Sequence, residues 1–216
     1  MDICFVANYT KTFFQNALAI ELKKSGYNIF WIVVNINNYE FLCSNYEEKN
    51  ILYLPKDKVF LSNNFSICEF KLNELIYGDR HMKYDYDSAL EYLTKIQKSV
   101  FDFIEVNSIS FVFGEITWAH EILISRIITH FKSLNSIYLN PHTIRIPSGR
   151  FAFFISEFQD EFLLSEPDYV NKLLPAGSFK LIKPDYLLIN DNKIKASVSF
   201  KGRLKRLKSF INSNNL

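Results

Sequence analysis

The sequence predicts an α/β fold: an open, mostly parallel sheet with helices on both of its faces. Short runs rich in β-branched and aromatic residues alternate with segments whose apolar residues recur every three or four positions. The runs are continuously apolar, as strands covered on two faces are. A chain of 216 residues, 48% hydrophobic and 22% charged, can also bury a core without a disulfide or metal. Disordered and collagen-like classes are excluded.

Ile3 to Ala7 is the first strand, and the segment 13–24 is a helix with Phe14, Leu18 and Leu22 on one face, stopped at Gly26. Ile29 to Val34 makes the second strand and Ile51 to Leu54, before Pro55, the third. Residues 59–83 lack a period and read as an irregular excursion, a lid or a substrate loop. Leu90, Leu93, Ile96, Val100, Phe103 and Ile104 define a long amphipathic helix over 87–106. Ile109 to Phe113 is the fourth strand, ended by Gly114, and 117–132 is a helix apolar over much of its circumference. Ser136 to Leu139 is a fifth strand, broken at Asn140-Pro141. The stretch 150–163, with Glu157, Asp160 and Glu161 among phenylalanines, reads as helical, and Tyr186 to Ile189 is a last strand. Strands alternating with helices in this way make the sheet Rossmann-like.

Net charge is +2, from 25 Lys and Arg against 23 Asp and Glu, which is weak for a protein held to nucleic acid by phosphate contacts. Cys4, Cys43 and Cys68 lack the paired spacing of a zinc or redox site and read as reduced, mostly buried thiols of a cytoplasmic protein. No secretory leader or membrane-spanning apolar stretch is visible. Neither GxGxxG nor GxxxxGK[ST] occurs, which disfavours dinucleotide-binding and P-loop enzymes, and there is no GxSxG elbow.

Ligands of open parallel sheets collect outside the carboxyl ends of the strands. Polar residues gather there: Asn8 and Lys11 after the first strand, Glu115, Thr117 and His120 after the fourth, and His142 and Arg145 after the fifth. Glu115 either takes a proton from a hydroxyl or complements the helix dipole, with Thr117 as N-cap. A helix N-terminus favours the neutral imidazole of His120, the form that acts as a base; the alternative is a buried capping residue. His120-Glu121 lacks the second zinc histidine, because Ile124 stands four positions on. His142, Arg145 and Arg150, on a loop stiffened by Pro141 and Pro147, suit a phosphate or carboxylate, or else pair with Glu115, Glu121 or Glu157. Asp79-Arg80-His81 is a second polar knot.

Residues 1–192 are expected to form the Rossmann-like domain and 193–216 a basic amphipathic helix or linker. In that tail Phe200, Leu204, Leu207 and Ile211 share a face and seven cations take the others. Such a helix either lies on an anionic membrane surface or docks on the domain.

The run Gly114-Glu115-Ile116-Thr117-Trp118-Ala119-His120-Glu121, followed by Asn140-Pro141, Arg145-Ile146-Pro147 and Gly149 to Phe154, resembles bacterial capsule and surface-polysaccharide biosynthesis proteins. More narrowly, it is similar to the amino-terminal, acceptor-binding half of GT-B-type glycosyltransferases. The resemblance implies a metal-independent transferase that moves a sugar from a nucleotide-sugar donor to a saccharide or lipid-linked acceptor, without a further cofactor. Glu115 is then the first candidate for the base and His120 the second. Asn8, Lys11, Thr117, His142, Arg145 and Arg150 would contact substrate, the arginines holding phosphate or acidic sugar groups. The donor half of that plan would begin where this chain stops, at Leu216, which implies a second GT-B domain or a partner chain. The alternative is a non-catalytic acceptor-binding or assembly module of the same machinery, in either case cytoplasmic or peripheral at the inner membrane face, with no nucleic-acid partner.

Overall fold

Strand β1 (Asp2–Val6) lies third in the seven-stranded sheet that the described residues form and is buried along almost its whole length. The structure is a computed structural model that describes residues 1–56, 70–144 and 150–164, all within the first of two units of the chain, Met1–Leu174. On one side β1 pairs in parallel with β2 (Asn28–Val33), which pairs with β3 (Ile51–Tyr53). On the other it pairs in parallel with β4 (Phe111–Phe113), and β4 with β5 (Ile137–Ile144). β6 (Arg150–Phe154) and β7 (Phe162–Leu164) then add antiparallel strands, so the order is β3-β2-β1-β4-β5-β6-β7. This is the predicted open, mostly parallel Rossmann-like sheet.

Alternate residues of β1 and β2 point to opposite faces, and each face has its own core. Cys4, Val6, Phe30 and Ile32 meet α3 (Leu72–Gly78), α4 (Tyr86–Val106) and α5 (Ala119–His130) through Ile76, Leu93, Ile96, Val100, Leu123 and Ile127. Ile3, Phe5, Ile29, Trp31 and Val33 meet α1 (Lys11–Lys24) and α2 (Ile36–Cys43) through Ala19 and Leu42.

Helix α4 follows its sequence pattern: Leu93, Ile96, Val100 and Ile104 are buried, and Asp85 caps its start by accepting from the Ser88 amide. Helix α1 does not. Phe14 and Leu18 are exposed, and the buried face is Thr12, Gln15, Asn16 and Ala19. Two of these polar groups are satisfied from α2 and its flank: Asn38 Nδ2 donates to Thr12 Oγ1 at 3.1 Å, and the Tyr46 hydroxyl donates to Asn16 Oδ1 at 2.8 Å.

Other expectations are corrected. The region 59–83 contains α3 and a 3-10 turn at Met82–Tyr84; the segment 57–69 lies outside the described residues. β5 is not broken at Asn140-Pro141. β4 has already ended opposite Leu139, so a proline at 141 removes no bond from the parallel ladder, and β5 continues against β6. The stretch 150–163 is a hairpin, because its aromatic run pairs with β5 and its acidic residues fall in and beside the turn. Cys43 is exposed, whereas Cys4 is buried. The strand expected at 186–189 and the boundary at 192 fall outside the described residues. Among the described residues no helix is long and apolar enough to cross a membrane.

Candidate functional site

The chain runs from β1 outward to β2 and β3, then crosses back to place β4 on the other side of β1. That reversal opens a crevice at the carboxyl ends of the strands. A cavity of about 520 Å³ lies there, its wall including Asn8, Tyr9, Asn35, Tyr53, Trp118 and His120.

The turn after β4 is set by a close approach. A Cβ on Gly114 would stand 2.2 Å from the Tyr138 hydroxyl and 3.2 Å from the Val6 Cβ, so no larger residue fits. The same hydroxyl donates to the Glu115 carbonyl at 2.7 Å, fixing the chain as it leaves the strand. Helix α5 then starts at Ala119 with Trp118, not Thr117, in the capping position.

Two buried carboxylates take the N–H groups at this helix start. Glu121 Oε2 accepts from the Thr117 and Trp118 amides at 3.1 and 3.0 Å. Asp79, at the end of α3, accepts from the Ala119 amide through Oδ2 at 2.9 Å and from the His81 and Met82 amides through Oδ1 at 2.8 and 3.0 Å. Burial raises the Asp79 pKa, but these three N–H donors and His120 outweigh it and hold the carboxyl below its ordinary range. Burial wins at Glu121, which is pushed up to about 7 against its N–H donors.

Asn8 ties the two turns together. Its Nδ2 donates to Glu115 Oε2 at 2.9 Å and Glu121 Oε1 at 3.0 Å, and its Oδ1 accepts from Trp118 Nε1 at 3.2 Å. Glu115 is further paired with the Lys11 ammonium. The first-choice base is thus engaged by two partners, and it is not part of the cavity wall.

His120 is placed differently. It is 7% exposed, it lines the cavity, and its buried Nε2 has no hydrogen-bond partner among the described residues. Burial pushes its pKa down to about 4, although the Asp79 carboxylate pulls upward, so the ring is neutral at pH 7. A neutral imidazole offers one acceptor nitrogen and one donor.

Aromatic rings form the rest of the wall. His81 stacks on Trp118 with centroids 5.4 Å apart and planes at 12°, and Tyr9 tilts against Trp118 at 5.4 Å. Tyr9 has φ of 38°, the left-handed region that a bulky side chain avoids. It keeps that strain while 54% exposed.

Of the residues picked from the sequence, Asn8, Lys11, Glu115 and His120 gather at the β1 and β4 turns, with Thr117 contributing its backbone. His142, on β5, meets Phe154 edge-on; partial desolvation and the Lys11 ammonium lower its pKa. Arg150 lies on β6 opposite Ile144, and Arg145 is outside the described residues. Glu157 pairs with Arg126, through Nε at 2.7 Å and Nη2 at 2.5 Å. Sequence reasoning gave Tyr9 no role and did not place Asp79 at the start of α5. The polar cluster at 79–81 was the only signal for Asp79, because its partner lies forty residues away.

Among the described residues no cluster of three or more His, Cys, Asp or Glu side chains could hold a metal ion. Comparison of the chain with protein-family models, with curated proteins and with solved structures yields no match.

Proposed function

We propose that this chain is the acceptor-side unit of a GT-B-like glycosyltransferase of surface-polysaccharide biosynthesis, with His120 as the base that deprotonates the acceptor hydroxyl. The observation that carries the reading is His120: a neutral imidazole on the wall of a cavity at the carboxyl edge of the sheet, its Nε2 buried and without a hydrogen-bond partner among the described residues. Once the imidazole turns so that this covered nitrogen faces the cavity, an acceptor hydroxyl meets no competing partner among the described residues. Its oxygen attacks the anomeric carbon of a donor held by a second unit, the bond from that carbon to the nucleotide's phosphate oxygen breaks, the nucleotide leaves, and the proton moves to His120. Asp79 lies close enough to steady the imidazolium so formed. Glu115 acts one step back, orienting Asn8 together with Lys11.

The test is sugar transfer from labelled UDP-, GDP- and CMP-sugars to saccharide and lipid-linked acceptors in lysate of cells that make the chain natively, where a donor-holding unit is present. His120→Gln is expected to lower kcat about 10²-fold or more, with KM changed only a few-fold. An unchanged kcat would remove His120 from the role.

The second reading, an acceptor-binding module without chemistry, draws support from the same nitrogen. A group that protonates only near pH 4 is a weak base but a good hydrogen-bond acceptor. Saccharide binding by the wild-type chain, with transfer in that lysate unchanged when His120→Gln replaces it, would establish it.

A further inference from the structure

Resting on the acceptor-side reading, we infer that the cavity takes an acidic sugar, its carboxylate or phosphate held by the Lys56 ammonium and the Asn35 side-chain amide.

The side chains of the wall that still have bonds to give are donors. Asn35 caps α2 through Oδ1, which accepts from the Asn37 and Asn38 amides at 2.9 and 3.4 Å. With Oδ1 turned to the helix, the planar amide points its Nδ2 N–H groups away from it, and among the described residues they have no hydrogen-bond partner. Lys56, exposed just past β3, carries an ammonium with no ion pair among the described residues. Exposed His81 adds a ring N–H in either tautomer.

The polar groups deeper in the wall are already used. Asp79 is 3% exposed, and its two oxygens take the Ala119, His81 and Met82 amides. Asn8 gives Nδ2 to Glu115 and Glu121 and Oδ1 to the Trp118 indole. Asp85, which shares an adjoining hollow with Lys56 and His81, caps α4. An anion brings both the acceptors that Asn35 and His81 lack and the charge that Lys56 lacks, and its hydrogen bonds are about twice as strong as those of a neutral hydroxyl. The rest of the ligand is set by rings: Tyr9, 54% exposed, leans on Trp118 and offers a face to the C–H side of a pyranose.

The same anion would act on the base. Lys56 is near enough to disfavour the His120 imidazolium. An anion on Lys56 offsets that repulsion, so an acidic acceptor makes His120 a better base than a neutral one does.

The experiment is calorimetry and saturation-transfer NMR on the full chain. The probes are glucuronate and galacturonate, the 1- and 6-phosphates of glucose and galactose, the two neutral parent sugars, inorganic phosphate and UDP. At least one acidic sugar should bind about tenfold or more tightly than its neutral parent, inorganic phosphate and UDP, and the tighter of the carboxylates and phosphates identifies the anion. Lys56→Gln should weaken that sugar about tenfold or more, and Lys56→Arg should keep most of its affinity. Asn35→Asp keeps the Oδ1 cap and with it the melting temperature, but puts a carboxylate oxygen where the N–H donors were, and should also weaken the acidic sugar about tenfold or more. Equal or tighter binding of the neutral parent, of inorganic phosphate or of UDP would overturn the inference. So would affinity unmoved by Lys56→Gln or by Asn35→Asp, or no binding of any acidic sugar. Transfer in the native lysate that is lost with His120→Gln yet confined to neutral acceptors would overturn it and leave the acceptor-side reading standing. Lys56-dependent binding of an acidic sugar, with transfer unmoved by His120→Gln, would do the reverse.

Discussion

The two faces of the sheet are built from different materials. Helices α4 and α5 bury Leu93, Ile96, Val100, Leu123 and Ile127 against Cys4, Val6 and Ile32, so that face is held chiefly by apolar contact. Helix α1 brings Thr12, Gln15 and Asn16 to the other face and leaves Phe14 and Leu18 outside; part of its docking is done by hydrogen bonds to Asn38 and Tyr46. Amphipathic periodicity therefore reports the buried side of a helix only where burial is apolar. Where neutral amides and hydroxyls find partners, the apolar stripe can face outward.

The largest effect should come from cutting into the apolar face. Leu93→Ala, at a fully buried position, is expected to cost about 2–5 kcal/mol in chemical denaturation, whereas Leu18→Ala on the exposed stripe of α1 should stay within about 0.5 kcal/mol. A comparable loss at Leu18 would show that the stripe is covered and end the contrast. On the polar face, Asn16→Ala leaves the buried Tyr46 hydroxyl without its acceptor and should cost about 1–3 kcal/mol. Adding Tyr46→Phe should recover part of that loss, because the orphaned hydroxyl goes with it; a strictly additive double variant would mean that the bond contributes nothing.

The smallest effect is a pH slope confined to the α5 side. His120 has a folded-state pKa of about 4 against the ordinary 6.5, so the unfolded chain binds more protons between these values and stability rises with pH there. Glu121, at about 7 against 4.5, has the opposite sign: the folded chain binds more protons, and stability falls as pH rises through that window. The two slopes nearly cancel between pH 5 and 6. His120→Gln should unmask the Glu121 slope, a loss of about 1 kcal/mol from pH 5 to 6, readable as a falling melting temperature. A flat profile in that variant would put the Glu121 pKa near its ordinary value.

The parallel core was legible in the sequence because its strands are short, apolar on both faces and separated by helices of the right length. Helix α4 was legible for the same reason, its period being fixed by packing. The hairpin of β6 and β7 was not. Phe153, Phe158 and Phe162 with their acidic neighbours mimic a helical spacing, and only the presence of β5 alongside decides for strands. At the site, the sheet-edge rule brought Asn8, Glu115 and His120 into one neighbourhood without ranking them. What separates Glu115 from His120 is who else reaches them: Lys11 and Asn8 engage the carboxylate, and among the described residues no side chain engages Nε2. Such partnerships between distant positions leave no periodic trace. The positive φ of Tyr9 leaves none either, since tyrosine is a poor marker for that conformation.

The interior position of β1 has a consequence for synthesis. Ile3 of β1 meets Ile29 early but Phe111 only about a hundred residues later, so at a translation rate of about 5–20 residues per second one edge of β1 goes unpaired for roughly 5–20 s. During that interval an apolar ribbon, Ile3-Cys4-Phe5-Val6, presents open backbone amides and carbonyls to whatever lies nearby on the ribosome. A nascent chain stalled before Phe111 would hold that ribbon open for as long as the stall lasts, which makes β1 the natural place for a chaperone to act.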